Sequence, residues 1–424
     1  MTYSESLADS IRAQFPSLSR QHDHGRPAVY LDGPAGSQVP ESVIDAIATY
    51  YRTSNANVGG KFPTSLETGE LMAAAHAAAA DWFGSNDPRE CIFGANMTTL
   101  TFAFSRALSK TWKPGDRIVL TELDHDGNVT PWRRAAADVG AIVDTVQVNP
   151  QDATLDVEDF QRKVRPGVKL VAFTCASNSV GSRTPVASLA EIAHQVGAEV
   201  YLDAVHLAPH GLLDVNQWKA DYCVCSAYKF CGPHVGLLWG RLDRLEALDT
   251  YKLRPAPEKS PGKWMTGTQN FAAIAGTLAA IDHYANIGKQ IAESMGRPIP
   301  QSRRENLRLA FHSIEAYEGD LARLLIDGLL AIPNVTVYGI TDGKRVKERV
   351  PTVVCNIGRF NSAEAAQQLA DRGIYCWHGD YYAVDICRAL GQQPGGMIRL
   401  GLLHYNNASE VHQTLQAIES IAKA

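Results

Sequence analysis

Short β-branched runs alternate with longer helical patterns through the middle of the chain. The apolar runs at 116–123 (DRIVLTEL), 140–148 (GAIVDTVQV), 168–176 (VKLVAFTCA), 198–204 (AEVYLDA), 221–227 (DYCVCSA) and 236–241 (GLLWGR) read as buried strands. Helical periodicity occupies 67–83, 98–112, 132–140 and 188–197 between them. Alternation of this kind implies βαβ units and a mostly parallel sheet covered on both faces. Past about residue 285 the character changes. A well-charged helical stretch runs to 332, followed by strands at 335–341 and 350–358, a helix at 362–373, and a last strand–helix pair over 395–424. This predicts a smaller α+β domain, with the seam near RPIPQSRREN at 297–306. No internal repeat and no low-complexity tract interrupts the pattern.

Composition narrows the class. The chain has 424 residues, 45% hydrophobic and 20% charged, enough to bury a core without a metal or disulfide staple. A net charge of −5 and the absence of a basic run argue against a nucleic-acid partner. No uninterrupted apolar run reaches the roughly 18 residues a membrane helix needs. The opening MTYSESLADSIRAQFP lacks a basic head followed by an apolar stretch, so no secretory signal is expected. Eight cysteines are scattered, with no CxxC pair and no zinc spacing. They read as buried reduced thiols of a cytoplasmic protein without a metal site.

One stretch, YLDAVHLAPHGLLDVNQWKADYCVCSAYKFCGPHVG at 201–236, places Asp203 and Lys229 just past two of the strands. Ligands of open α/β sheets bind at the carboxyl ends of the strands. If both runs are parallel, both side chains reach one crevice. A lysine there can form a Schiff base with an aldehyde cofactor, and an acid can keep a pyridine nitrogen protonated. Spacing alone does not separate this from a surface lysine and a helix-capping aspartate.

The surrounding motifs extend the reading. YLDAVHLAPH followed by SAYKFCGPHVGLLWGR resembles the fold-type-I pyridoxal phosphate enzymes of the class-V aminotransferase group, in particular the cysteine desulfurase-like branch. VYLDGPAGSQVP (29–40), NANVGG (55–60), FGANMTTLTFAF (93–104), ELDHDGNVTPW (122–132), ASNSVGSRTPV (176–186), MTGTQNF (265–271) and IRLGLLHYN (398–406) resemble further segments of the group, in the same order. The resemblance covers nearly the whole chain. It implies a mostly parallel seven-stranded sheet flanked by helices, a large cofactor-binding domain over 20–290, and a small domain built from 1–19 plus 291–424. It implies pyridoxal 5'-phosphate held by Lys229, which would also move the α-proton of an amino-acid substrate. Asp203 would pair with the ring nitrogen, His125 would stack on the ring, and Asn178 would bond its phenolic oxygen. Asn96, Ser226 and Tyr228 would serve the phosphate, although many relatives have histidine where Tyr228 stands. His206 would lie near the cofactor or substrate, or be a satisfied core histidine. Arg399 would grip the substrate carboxylate as a bidentate pair. Thr268 would reach the phosphate of a neighbouring subunit, which implies a homodimer.

The pattern departs from the branch at one place. Persulfide-forming desulfurases carry a nucleophilic cysteine after a glycine–histidine stretch. In CWHGDYYAVDICRALG (376–391), setting Gly379 on that glycine puts Tyr382 at the cysteine position. A phenol cannot accept sulfur as a persulfide. Cys387 reads as packing on a short helix, and Cys376 follows a strand. His378, Asp380 and Tyr382 are candidate substrate contacts or plain loop residues. The sequence therefore predicts a C–S lyase acting on a sulfur-containing L-amino acid, with an aminotransferase, an epimerase or a non-catalytic partner of the same fold as alternatives.

Overall fold

The structure is a computed structural model that describes residues 5–22, 25 and 27–423. Its strands are β1 (Val29–Tyr30), β2 (Cys91–Gly94), β3 (Arg117–Thr121), β4 (Ile142–Val146), β5 (Val168–Thr174), β6 (Glu199–Asp203), β7 (Tyr222–Ser226), β8 (Gly236–Gly240), β9 (Val335–Tyr338), β10 (Thr352–Ile357), β11 (Ile374–Tyr375), β12 (Trp377–Gly379) and β13 (Met397–Gly401). The large sheet has seven strands in the order β2-β8-β7-β6-β5-β3-β4. β8 alone runs against its neighbours, and the other pairings are parallel. The hydrophobic pattern marks six of these strands. The seventh, β2, is four residues long and ends in glycine, too short to register as a strand in a periodicity reading.

The central strands are buried along their whole length, as a sheet covered on both faces requires. Their side chains alternate between two cores. Tyr201, Tyr222 and Val224 pack with Phe104 and Trp132 from the helices Met97–Leu108 and Thr130–Val139. Val200, Leu202, Cys223 and Cys225 face the other way, against Trp82, Ile274 and Tyr284 from the helices Pro63–Phe83 and Phe271–Ser294. The same alternation puts Asp203 on the Tyr201 face.

A four-stranded antiparallel sheet, β12-β13-β10-β9, forms the second layer system. Val353, Cys355, Ile398 and Leu400 from it pack with Leu369, Ile418 and Ile421 from the helices Ser362–Ala370 and Ala408–Lys423. The helix Arg303–Ala331, capped by Ser302 within the stretch 297–306, serves both cores: Leu307 and Phe311 join the first, Leu325 and Leu329 the second. β1 pairs in parallel with β11, and Val29 and Leu31 lie in the second core. The chain therefore leaves this core at Asp32, directly above the carboxyl ends of the large sheet. Among the described residues no helix is long and apolar enough to cross a membrane. No cluster of three or more His, Cys, Asp or Glu among them is placed to hold a metal ion.

Candidate active site

β6 and β7 pair in parallel, with Asp203 opposite Val224. Asp203 closes β6, and Lys229 closes the single turn Ala227–Lys229 that leaves β7. Both line one cavity of about 240 Å³, together with Asn96, His125, Asn178, His206, Ser226 and Tyr228. An adjoining chamber of about 660 Å³ shares Lys229, Tyr228, His125 and Asn178, and is bounded by Pro34, Ala35, Arg399 and the segment 377–382. The parallel pairing thus brings the acid and the amine to one crevice.

Burial sets the charge states. The Lys229 amine donates to the carbonyl oxygens of Pro34 and Ala35. Its pKa is pulled down to about 7, by burial first and then by the Arg399 charge, with Asp203 and Asp32 opposing. A large share of this lysine is therefore neutral near pH 7, the form that acts as a nucleophile or base. Burial pushes the Asp203 carboxyl up to about 6, although it accepts from the Val205 amide at 2.8 Å and faces the Lys229 charge. His125 is held to about 4, by burial and then by Lys229 and Arg399, so its ring is neutral at physiological pH. Its Nδ1 accepts from the Gly127 amide at 2.9 Å, which puts the ring proton on Nε2. His206 bonds the Thr352 hydroxyl at 2.9 Å, and burial holds its pKa far below the usual imidazole value.

The end of the cavity beside β8 is a helix N-terminus. Asn96 caps the helix Met97–Leu108, its Oδ1 accepting from the Thr99 amide at 2.8 Å. The Ser226 hydroxyl accepts from the Met97 amide at 3.0 Å and retains its own proton for donation. Glycine is required at 236, because a Cβ there would lie 2.4 Å from the Asn96 carbonyl carbon. Tyr228 stacks on His234 at 4.8 Å and 9°. Behind His234 lies a separate cavity of about 410 Å³, which holds Thr268 with Gly94 and Ala95. Thr268 is not in the wall of the Lys229 cavity of its own chain.

The opposite end belongs to Arg399 and Asn178. Arg399, on β13, is 4% exposed and has no ion-pair partner among the described residues. Its Nη1 donates to the Asn178 carbonyl oxygen at 2.8 Å, and its Nε is buried without a partner. Burial lowers its pKa to about 10. The Asn178 amide nitrogen donates to the Tyr381 carbonyl at 3.0 Å, while its Oδ1 is buried and unsatisfied. An unpaired buried guanidinium is costly and suits an anionic ligand.

Sequence reading missed two residues here. Asp32 faces the Lys229 and Arg399 charges, and burial raises it to about 6. The VYLDGPAG motif carried it, but as a loop rather than as a charge. Tyr381 lies under Arg399, with the guanidinium 4.1 Å from its ring centroid. No spacing signals that contact. Tyr382, 72% exposed, stands at the chamber wall with its ring 5.6 Å from that of His125. Among the described residues no cysteine lines either cavity. Burial pushes the Cys376 thiol up to about 12 and the Cys387 thiol up to about 11.

The aminotransferase class-V family matches over residues 29–309 and 304–414. The chain belongs to the class-V aminotransferase family. It is 30% identical to a cysteine desulfurase of Klebsiella pneumoniae subsp. pneumoniae, over 100% of this chain and 99% of the relative. It is 28% identical to a cysteine desulfurase of Haloferax volcanii, over 97% and 96%. Its fold is similar to that of the apo cysteine desulfurase of Thermococcus onnurineus, with a TM-score of 0.84, 24% identity and 98% of each chain covered. The protein is thus a cysteine desulfurase-like enzyme of a family that uses pyridoxal 5'-phosphate.

The cavity suits that cofactor. It offers a neutral amine for an aldehyde, a buried carboxylate for a ring nitrogen, and an imidazole beside the ring position. A helix N-terminus with a free hydroxyl proton serves a phosphate. The unsatisfied Asn178 Oδ1 shows that the polar lining is incomplete without a ligand.

Proposed function

We propose that the protein binds pyridoxal 5'-phosphate through Lys229 and acts as a C–S lyase on a sulfur-containing L-amino acid, without forming a persulfide. The bound cofactor supplies the electron sink that makes the α-proton of an amino acid removable. Lys229, about half neutral near pH 7, is the base for that proton. Arg399 and the Asn178 turn hold the carboxylate and fix which α-substituent faces Lys229. Asp203 would keep the ring nitrogen charged, and the neutral His125 would lie against the ring without competing for the proton. The sulfur group would then leave the β-carbon as a thiol, carrying a proton, and the enamine left behind takes up water to give pyruvate and ammonia.

The observation that carries the sulfur assignment is the thiol inventory. The two cysteines flanking the chamber segment are held protonated by burial, and Tyr382 occupies the turn that faces His125. The chamber, about 660 Å³, has room for a substituent on sulfur. Thr268, which lines a cavity separated from its own Lys229 cavity by His234, supports a homodimer in which it reaches the neighbouring phosphate.

The test is incubation of the holoenzyme with L-cysteine, cystine, S-methylcysteine and L-alanine. Pyruvate with release of the matching thiol, and no mass shift on any cysteine peptide, is the expected result. Conversion of the cofactor to its amine form, exchange of the α-proton without elimination, or an enzyme persulfide would overturn it.

A further inference from the structure

Arg399 is a buried cation without a carboxylate partner among the described residues, yet its position is closely held. Two contacts hold it. One is the Asn178 carbonyl at 2.8 Å, and the other is the face of Tyr381, 4.1 Å from the guanidinium carbon. Tyr381 is itself fixed on three sides. Its hydroxyl donates to the carbonyl of Met397, two residues before Arg399 on the same strand. Its own carbonyl accepts from the Asn178 side chain at 3.0 Å. Its backbone sits at φ 57°, followed by Tyr382 at φ 58°. Two consecutive bulky residues in the left-handed region are uncommon and persist only where the surroundings over-determine them. The Asp126 amide bonds the Tyr382 carbonyl at 2.7 Å and completes that restraint. Close approach of Gly379 and Gly396 lets the turn begin where it does, since a Cβ on Gly396 would lie 2.4 Å from the Gly379 backbone.

We propose that Tyr381 is a positioning residue for substrate binding: its ring is the shelf that holds the Arg399 guanidinium in the plane that receives the substrate carboxylate. This rests on the carboxylate reading of Arg399 given above and goes beyond it. A ring face attracts a desolvated guanidinium and leaves the in-plane N–H groups free for a bidentate acceptor. A carboxylate shelf residue would neutralise Arg399 and compete with the substrate; an aliphatic one would leave the guanidinium free to rotate.

The experiment compares binding of methylthiopropionate and of its primary amide to the holoenzyme by calorimetry. Neither ligand has an amine, so neither engages the cofactor chemistry. In Tyr381→Leu, affinity for the carboxylate falls about tenfold or more, and affinity for the amide is unchanged. The KM for the amino-acid substrate rises while kcat holds. Tyr381→Phe keeps the ring and stays within about threefold of the parent, since it loses a single hydrogen bond. Equal loss for both ligands, or loss of cofactor absorbance, in Tyr381→Leu marks a merely structural role and overturns the proposal. No change for either ligand does the same. An Arg399→Leu arm separates the two layers of the argument. If it leaves carboxylate affinity intact, the carboxylate reading falls and the shelf falls with it. If it weakens the carboxylate and Tyr381→Leu does not, only the shelf falls.

Discussion

The two walls of the active site are built by different means. On the side of the seven-stranded sheet, Asp203, Ser226 and Lys229 stand at or just past the ends of buried parallel strands. Their places follow from strand period and pairing, and backbone ladders on both sides keep them there. On the side of the four-stranded sheet, Tyr381 and Tyr382 stand on a turn held in an unfavourable backbone region by bonds to loops of the large sheet, Asn178 to Tyr381 and Asp126 to Tyr382. The sheet wall carries charge states that any reaction of this cofactor class needs. The turn wall holds the Arg399 guanidinium and lines the chamber beside it. Chemistry common to the family thus rests on regular structure, and selection rests on a turn whose strain of about 1–3 kcal/mol per residue is held in place by its neighbours.

The largest way to break the comparison is at the sheet wall. Lys229→Ala removes the amine and leaves the turn wall intact. Turnover is expected to fall by about 10³-fold or more, with the covalent cofactor absorbance gone. Affinity for a carboxylate ligand should remain, because Arg399 and Tyr381 are untouched. Loss of that affinity as well would show that the two walls are not separable.

Asp203→Asn gives a smaller and opposite pair of effects. The folded carboxyl titrates at about 6 against an ordinary 3.8. Between those values the folded protein holds a proton that the unfolded chain has lost, so burial of this group costs stability as pH rises through 6. In cofactor-free protein the substitution is expected to raise Tm at pH 8, and the gain should fade as pH falls toward 4. Cofactor affinity should fall at the same time. Lys229 works with the reverse sign. Its amine titrates at about 7 in the fold against 10.5 ordinarily, so its burial costs stability most below pH 7 and least above 10.5. A Tm difference between Asp203→Asn and parent that is flat from pH 4 to 8 would refute the buried-carboxylate account.

The contrast also explains what was legible in the chain. Six of the seven large-sheet strands, β9, β10, β11 and β13, and the placing of Asp203 beside Lys229 follow from apolar runs and their order, whereas β12, three residues with a polar centre, does not. β2 was not legible, because four residues ending in glycine carry no period. Asn178, His125 and Arg399 came from motif resemblance, and their convergence on two adjoining cavities is geometry the sequence does not encode locally. Tyr381 and Asp32 were invisible as functional groups. The ring contact of Tyr381 joins residues from a turn and a distant strand. Asp32 has the local sequence of an ordinary loop acid, and only its burial in the fold distinguishes it.

The smallest expected effect sharpens the comparison at the turn wall. Cys376 follows β11 and Cys387 lies on the short helix Val384–Ala389, so both flank the turn without entering the chamber. Burial keeps both thiols protonated at neutral pH, with values near 12 and 11. A protonated thiol is a poor nucleophile. Cys376→Ser and Cys387→Ser are therefore expected to retain turnover within about twofold, since no step of the reaction proposed above passes through sulfur on the protein. Iodoacetamide at pH 7 should leave the parent enzyme equally active. A loss of turnover in Cys376→Ser alone, with cofactor absorbance unchanged, would mean that the turn moves enough to bring that thiol to the substrate, and the fixed wall described above would have to be a mobile arm.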